Sequence, residues 1–88
     1  MEKIVKLASA GTLESSDVYV EIEPSEEKLE IQLESVVYNQ FGESILRVVR
    51  EVLDECGVEK ALVRVSDRGA LECVIRARVE TAVLRGKE

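Results

Sequence analysis

Val18-Tyr19-Val20-Glu21-Ile22-Glu23-Pro24-Ser25-Glu26-Glu27-Lys28-Leu29-Glu30-Ile31-Gln32-Leu33-Glu34 is the stretch that decides the fold reading. Val18, Val20 and Ile22 alternate with Tyr19, Glu21 and Glu23, and Leu29, Ile31 and Leu33 alternate with Glu30, Gln32 and Glu34. A period of two marks a strand with one face in a core and the other in water. Residues 24–27 between the runs read as a turn, with Pro24 pre-setting φ. Two such runs joined by a short polar loop predict an antiparallel hairpin, aliphatic inside and mostly acidic outside.

Beyond it the period lengthens. Tyr38, Phe41, Ile45, Val48, Val49, Val52, Leu53 and Cys56 fall on one arc of a helix, with Glu43, Arg47, Arg50 and Asp54 opposite. Ser35 is the expected N-cap and Gly57 the left-handed C-terminal stop. Gly42 sits inside the apolar arc, which predicts either a close approach to the sheet or a break. Residues 61–65 read as a third strand and 67–69 as a turn. Residues 70–85 read as a second helix with Leu71, Val74, Ile75, Val79, Ala82 and Val83 on one side. Upstream, residues 1–16 carry no clear period and are expected to be irregular, with the chain start disordered. The expected architecture is α+β: a two-layer ββαβα sandwich, a three-stranded sheet with both helices packed on one face. In this reading residues 1–16 are a flexible N-terminal segment and residues 17–88 a single α+β domain.

Eighty-eight residues support one domain and one core. With only Tyr19, Tyr38 and Phe41 aromatic, that core must be aliphatic. The net charge of −6 lacks the basic footprint that a polyanion binder needs, so no nucleic acid is expected. Residues 14–34 hold Glu14, Asp17, Glu21, Glu23, Glu26, Glu27, Glu30 and Glu34 against one base, Lys28. That is either a solvated face or an acidic surface for basic partners. Cys56 and Cys73 read as reduced, packed thiols, neither a disulfide framework nor a metal cluster. No apolar run is long enough for a membrane, and the charged start does not resemble a signal peptide, so a cytoplasmic protein is expected.

Catalytic equipment is sparse. The chain has no His to activate a nucleophile, which excludes a Ser-His-Asp hydrolase. Ser15 and Ser16 stand on a loop ahead of the first alternating run, beside Gly11, Thr12, Glu14 and Asp17. Ser-Ser-Asp in that place either turns the backbone or offers a hydroxyl to a modifying enzyme. Glu14 and Asp17 without a cleft do not make an acid–base pair. Arg78 falls within the apolar arc of the second helix. Its guanidinium requires an acceptor, either by snorkelling to an acid at the domain edge or by lying against a phosphate or the Gly11–Asp17 loop. Arg64, Arg68, Arg76 and Arg85 read as ordinary surface charges.

Three segments together resemble the acyl carrier protein, or gamma subunit, family of citrate lyase. Ala10-Gly11-Thr12-Leu13-Glu14-Ser15-Ser16-Asp17 is similar to the family's N-terminal signature. Phe41-Gly42 and the run Asp67-Arg68-Gly69-Ala70-Leu71-Glu72-Cys73-Val74-Ile75-Arg76-Ala77-Arg78 are similar to its two later ones. Order and spacing agree across nearly the whole chain. Ser66-Asp67-Arg68 departs from the family's acidic pair followed by Lys. The resemblance implies a non-catalytic carrier. A 2'-(5''-phosphoribosyl)-3'-dephospho-CoA group would be joined through a phosphodiester to the serine directly after Gly-Thr-Leu-Glu, hence Ser15, with Ser16 as the competing neighbour. It implies an alpha subunit that exchanges acetyl for citrate on the arm's thiol and a beta subunit that cleaves the citryl thioester to oxaloacetate. It also implies an enzyme that attaches the group. Carriers of malonate decarboxylase or citramalate lyase fit the same signatures, and an unmodified acidic interaction module is the alternative of another class.

Overall fold

The computed structural model describes residues 3–87. Met1 and Glu2, expected to be disordered, lie outside the described residues, as does Glu88. The elements run β1 (Ala8–Gly11), β2 (Val18–Glu23), β3 (Leu29–Ser35), α1 (Tyr38–Glu55), β4 (Ala61–Asp67) and α2 (Glu72–Gly86). The strands form one sheet in the order β1-β2-β4-β3. Val18, Val20 and Ile22 of β2 and Ala61, Val63 and Val65 of β4 are buried on the face that the helices cover. Ile45, Val48, Val49, Val52 and Leu53 from α1 and Ile75, Val79, Ala82 and Val83 from α2 complete an aliphatic core. The α+β class, the two-layer arrangement and the placement of both helices on one face agree with the sequence pattern.

Three details differ. The sheet has four strands, because Ala8–Gly11 forms an edge strand antiparallel to β2, with Ala8 opposite Ile22 and Gly11 opposite Tyr19. The reading of residues 1–16 as irregular is corrected accordingly: Ala10 is buried in the core, and so is Ile4. Ala-Ser-Ala-Gly has neither alternation nor β-branched residues, so nothing local marks it as a strand; the exposed edge of β2 supplies the pairing.

The second correction is larger. β2 and β3 are not a hairpin. β4 lies between them, antiparallel to β2 and parallel to β3. Electrostatics explains the insertion. A β2–β3 hairpin would set Glu21 and Glu23 beside Glu30 and Glu34 on the open face, and like charges across strands are destabilising. β4 brings Arg64 between the acids, opposite both Glu21 and Gln32 in register. Its Nη1 and Nη2 reach Glu21 and Glu23, each at 2.8 Å. The true hairpin is β1–β2, while β3-α1-β4 is a parallel crossover unit.

The third concerns helix α1. Ser35 does not cap it; the helix begins at Tyr38, and Val37 stands at its boundary. Ser35 Oγ instead accepts from the Val37 N–H at 3.1 Å and donates to Asp67 at 2.8 Å, tying the ends of β3 and β4 together. Gly42 is buried without a break in the helix. A Cβ there would lie 2.9 Å from the Tyr38 ring, so the close approach is to that ring. Gly57 takes φ +74 after α1, as its place in the sequence predicts. No helix among the described residues is long and apolar enough to cross a membrane.

Candidate functional site: the loop joining β1 and β2

The β1–β2 connection, residues 12–17, carries the sequence-predicted serines. It leaves β1 at Gly11, where φ is +90 and a Cβ would fall 1.8 Å from the Val18 carbonyl oxygen, so only glycine fits. Glu14 to Asp17 form a turn closed by the Asp17 N–H donating to the Glu14 carbonyl at 3.1 Å. Ser15 and Ser16 are its two central residues. Ser16 has φ +67, the left-handed conformation that a turn's third position often requires. Both serines are exposed, and among the described residues neither hydroxyl makes a hydrogen bond.

The loop is tied down beneath them. The Thr12 hydroxyl donates to Asp17 Oδ2 at 2.7 Å and accepts the Glu14 N–H at 3.1 Å. The Val18 N–H donates to Asp17 Oδ1 at 2.7 Å. Arg78, on α2, donates from Nε to Asp17 Oδ1 and from Nη2 to Oδ2, both at 3.2 Å. Such a two-pronged pair fixes orientation as well as charge. Thr12's hydroxyl first, then the Val18 amide and Arg78, hold the Asp17 carboxyl at about 2, below its ordinary 3.8.

The β4–α2 turn forms the bed of the loop. The Ser16 N–H donates to the Arg68 carbonyl at 2.8 Å, and the Arg68 N–H donates to the Asp17 carbonyl at 2.9 Å. Asp67, 2% exposed, organises that bed. It accepts from Ser35 Oγ, from the Gly69 N–H at 3.2 Å and from the Ala70 N–H at 3.0 Å. Gly69 at φ +89 lets the chain double back into α2.

The structure therefore brings Ser15 and Arg78 to one loop but gives them different surroundings. Ser15 stands free at the tip. Arg78 is below it, with its Nε and Nη2 given to Asp17. Cys56, half-buried at the C-terminal boundary of α1, and Cys73, exposed on α2, form no disulfide. Sequence reasoning treated Thr12 and Asp17 as bystanders and Asp67 as a turn residue only. An Asp directly before Arg-Gly at a strand end is an Asx-turn signal, but nothing local announces burial or the bond to Ser35, 32 positions earlier.

The arrangement can do one thing chemically. It holds out an exposed hydroxyl on a fixed support, hydrogen-bonded to no basic group among the described residues. Activation must come from another protein.

Comparisons with known proteins agree with a carrier. Residues 5–86 match the family model described as malonate decarboxylase delta subunit (MdcD). A protein of Salmonella paratyphi A called citrate lyase acyl carrier protein 2 is 59% identical over 98% of this chain and 90% of its own. The citrate lyase acyl carrier protein of Escherichia fergusonii is 56% identical over the same shares. A chain in the crystal structure of a Pseudomonas malonate decarboxylase hetero-tetramer in complex with malonate superposes with a TM-score of 0.82 at 26% identity. That match covers 96% of this chain and 87% of the other.

Proposed function

Since the chain belongs to the citrate lyase acyl carrier protein family, we propose that it serves as a carrier subunit whose prosthetic group is joined to Ser15. It is a non-catalytic subunit; its residues bind and present rather than make or break bonds in substrate. The group proposed is 2'-(5''-phosphoribosyl)-3'-dephospho-CoA in phosphodiester linkage. When attached, it supplies a long thiol-tipped arm on which acetyl and citryl thioesters are carried.

The observation that carries this reading is the state of Ser15: exposed, without a hydrogen-bond partner, at the apex of a turn anchored on both sides. An ester at Oγ needs a hydroxyl that a second enzyme can enclose, and a bonded or buried serine would have to be released first. Residues around the loop suit the anionic linkage only in part. Asp17's charge is answered by Arg78, so it does not confront a phosphate as a bare carboxylate. Arg78, with Nε and Nη2 engaged, supports the loop and does not need to meet the phosphate. Arg68, whose nearest carboxylate, Glu34, is 3.9 Å away, is the less engaged cation beside the turn.

The partners proposed are an alpha subunit acting as citrate:acyl-carrier transferase, a beta subunit acting as citryl lyase, and an enzyme that attaches the group. The chain contributes reach and effective concentration to the first two. The complex is proposed to work in the cytoplasm. A second reading, carrier of a malonate decarboxylase, draws on the family model and on the 0.82 superposition. Identity favours citrate lyase, 59% against 26%.

Intact mass tests the proposal. Co-production with the attachment enzymes adds the mass of one prosthetic group to the wild-type chain and none to Ser15→Ala, whereas Ser16→Ala is loaded normally. Loading of Ser15→Ala would place the group elsewhere. Adding the loaded chain to citrate lyase alpha and beta subunits restores oxaloacetate release from citrate. Restoration only of malonate decarboxylation would favour the second reading.

A further inference from the structure

Ser15 and Ser16 are chemically equal: adjacent, exposed and without hydrogen bonds at their hydroxyls. An attachment enzyme that recognises a short loop by contact alone has little to choose between them. Their backbones, however, are not equal. Ser16 is left-handed, with its N–H committed to the Arg68 carbonyl, whereas Ser15 has an ordinary negative φ and no such tie. A non-glycine residue holds a left-handed conformation when its surroundings enforce it.

Those surroundings converge on one side chain. The Asp17 carboxylate receives four donors: the Thr12 hydroxyl, the Val18 N–H, and Arg78 Nε and Nη2. Two of them come from α2, 61 positions away in sequence, so the turn is held by a helix and not only by itself. Side chains fixed on rigid elements hold a loop more closely than the loop's own contacts do. Arg78 is also pressed on Gly11, where a Cβ would lie 3.2 Å from its Cδ.

We propose that Thr12, Asp17 and Arg78 form a positioning clamp that presents Ser15 to the attachment enzyme and withholds Ser16. The inference rests on Ser15 as the attachment site and concerns what selects it. With the fork of Arg78 gone, Asp17 is free to turn and Ser16 relaxes to negative φ. The turn then no longer sets the two serines apart, and the attachment enzyme meets both hydroxyls in like backbone settings.

The test uses the full chain, the attachment enzyme and the activated prosthetic-group precursor. Fragmentation of the modified peptide locates the added mass. Wild type carries it on Ser15. In Arg78→Gln, and in Thr12→Val, which removes the donor to Asp17 and the acceptor of the Glu14 N–H, the Ser15:Ser16 ratio falls about tenfold or more, the factor that one charged hydrogen bond of ordinary strength governs. Arg78→Lys keeps the charge without the fork and falls between. Arg47→Gln, which opens an exposed pair on α1, leaves the ratio unchanged. Exclusive use of Ser15 in both Arg78→Gln and Thr12→Val overturns the proposal.

A second measurement is independent of attachment. In unmodified protein, the Ser16 and Asp17 amides exchange with solvent about tenfold faster in Arg78→Gln, while amides of β2 and β4 stay protected. Equal exchange in wild type and variant overturns the clamp. If wild type takes no mass on Ser15, the attachment reading fails, and the exchange comparison still decides the clamp.

Discussion

Asp17 carries more of this protein's organisation than its place beside two serines indicates. Its folded value of about 2 lies below the ordinary 3.8. The unfolded chain therefore binds a proton at higher pH than the folded one. The resulting stability is present in full above about pH 4 and is lost as pH falls through about 2. Wild type is expected to be more stable than Asp17→Asn at pH 6, with the difference shrinking toward pH 2; thermal unfolding of both across that range checks it. A difference constant with pH would show that the ionised form of Asp17 is not what Thr12, the Val18 amide and Arg78 stabilise. At this scale the sequence was partly legible. The Ser15–Ser16 pair could be singled out because hydroxyls between Gly11 and a strand are a local pattern, whereas the choice of Ser15 over Ser16 came only from the resemblance to the citrate lyase carrier signature. For Arg78 the Gly11–Asp17 loop was one acceptor among several, and that Asp17 is the group engaged could not be read, because the two lie 61 positions apart.

At the scale of elements, charge on the open face places β4. Arg64 pairs with two acids of β2, Glu21 and Glu23, and faces Gln32 of β3 in register, so β4 separates the acidic rows of β2 and β3. The Arg64 pairs are partly exposed, so Arg64→Gln is expected to lower the denaturant midpoint only slightly. Arg64→Glu is expected to cost clearly more, because it rebuilds the like-charge row that β4 relieves; equal costs for the two would remove charge as the reason for the strand order. Asp67 acts at the junction of β3, β4 and α2. Asp67→Ala leaves Ser35 and the Gly69 and Ala70 amides without their acceptor and is expected to cost about 2–3 kcal/mol. Helix and strand periods identified β2, β3, α1 and α2 and most of β4. The same periods are silent on pairing, and a five-residue polar connection between two alternating runs fits a hairpin and an inserted strand equally well.

At the scale of the molecule, the N-terminal segment belongs to the core. Ile4 is 2% exposed, and the Val5 and Lys6 N–H groups donate to the Gly86 carbonyl at the end of α2. Ile4→Ala is expected to destabilise the fold by about 2–4 kcal/mol. Val5→Ala, at a position 53% exposed, is expected to stay within about 0.5 kcal/mol. Similar small effects at both positions would make the segment a mere tether. The sequence alone determined the α+β class, the aliphatic core, the coverage of one sheet face and the loop that holds Ser15. All of these follow from local periodicity and short motifs, which act between neighbours along the chain. Only the tertiary structure decided the fourth strand, the seat of β4 between two acidic strands, and the grip of α2 on the serine loop. Each of those joins groups far apart in sequence, through edge pairing, ion pairs and a buried carboxylate, and their energies exist only once the chain has brought the partners together.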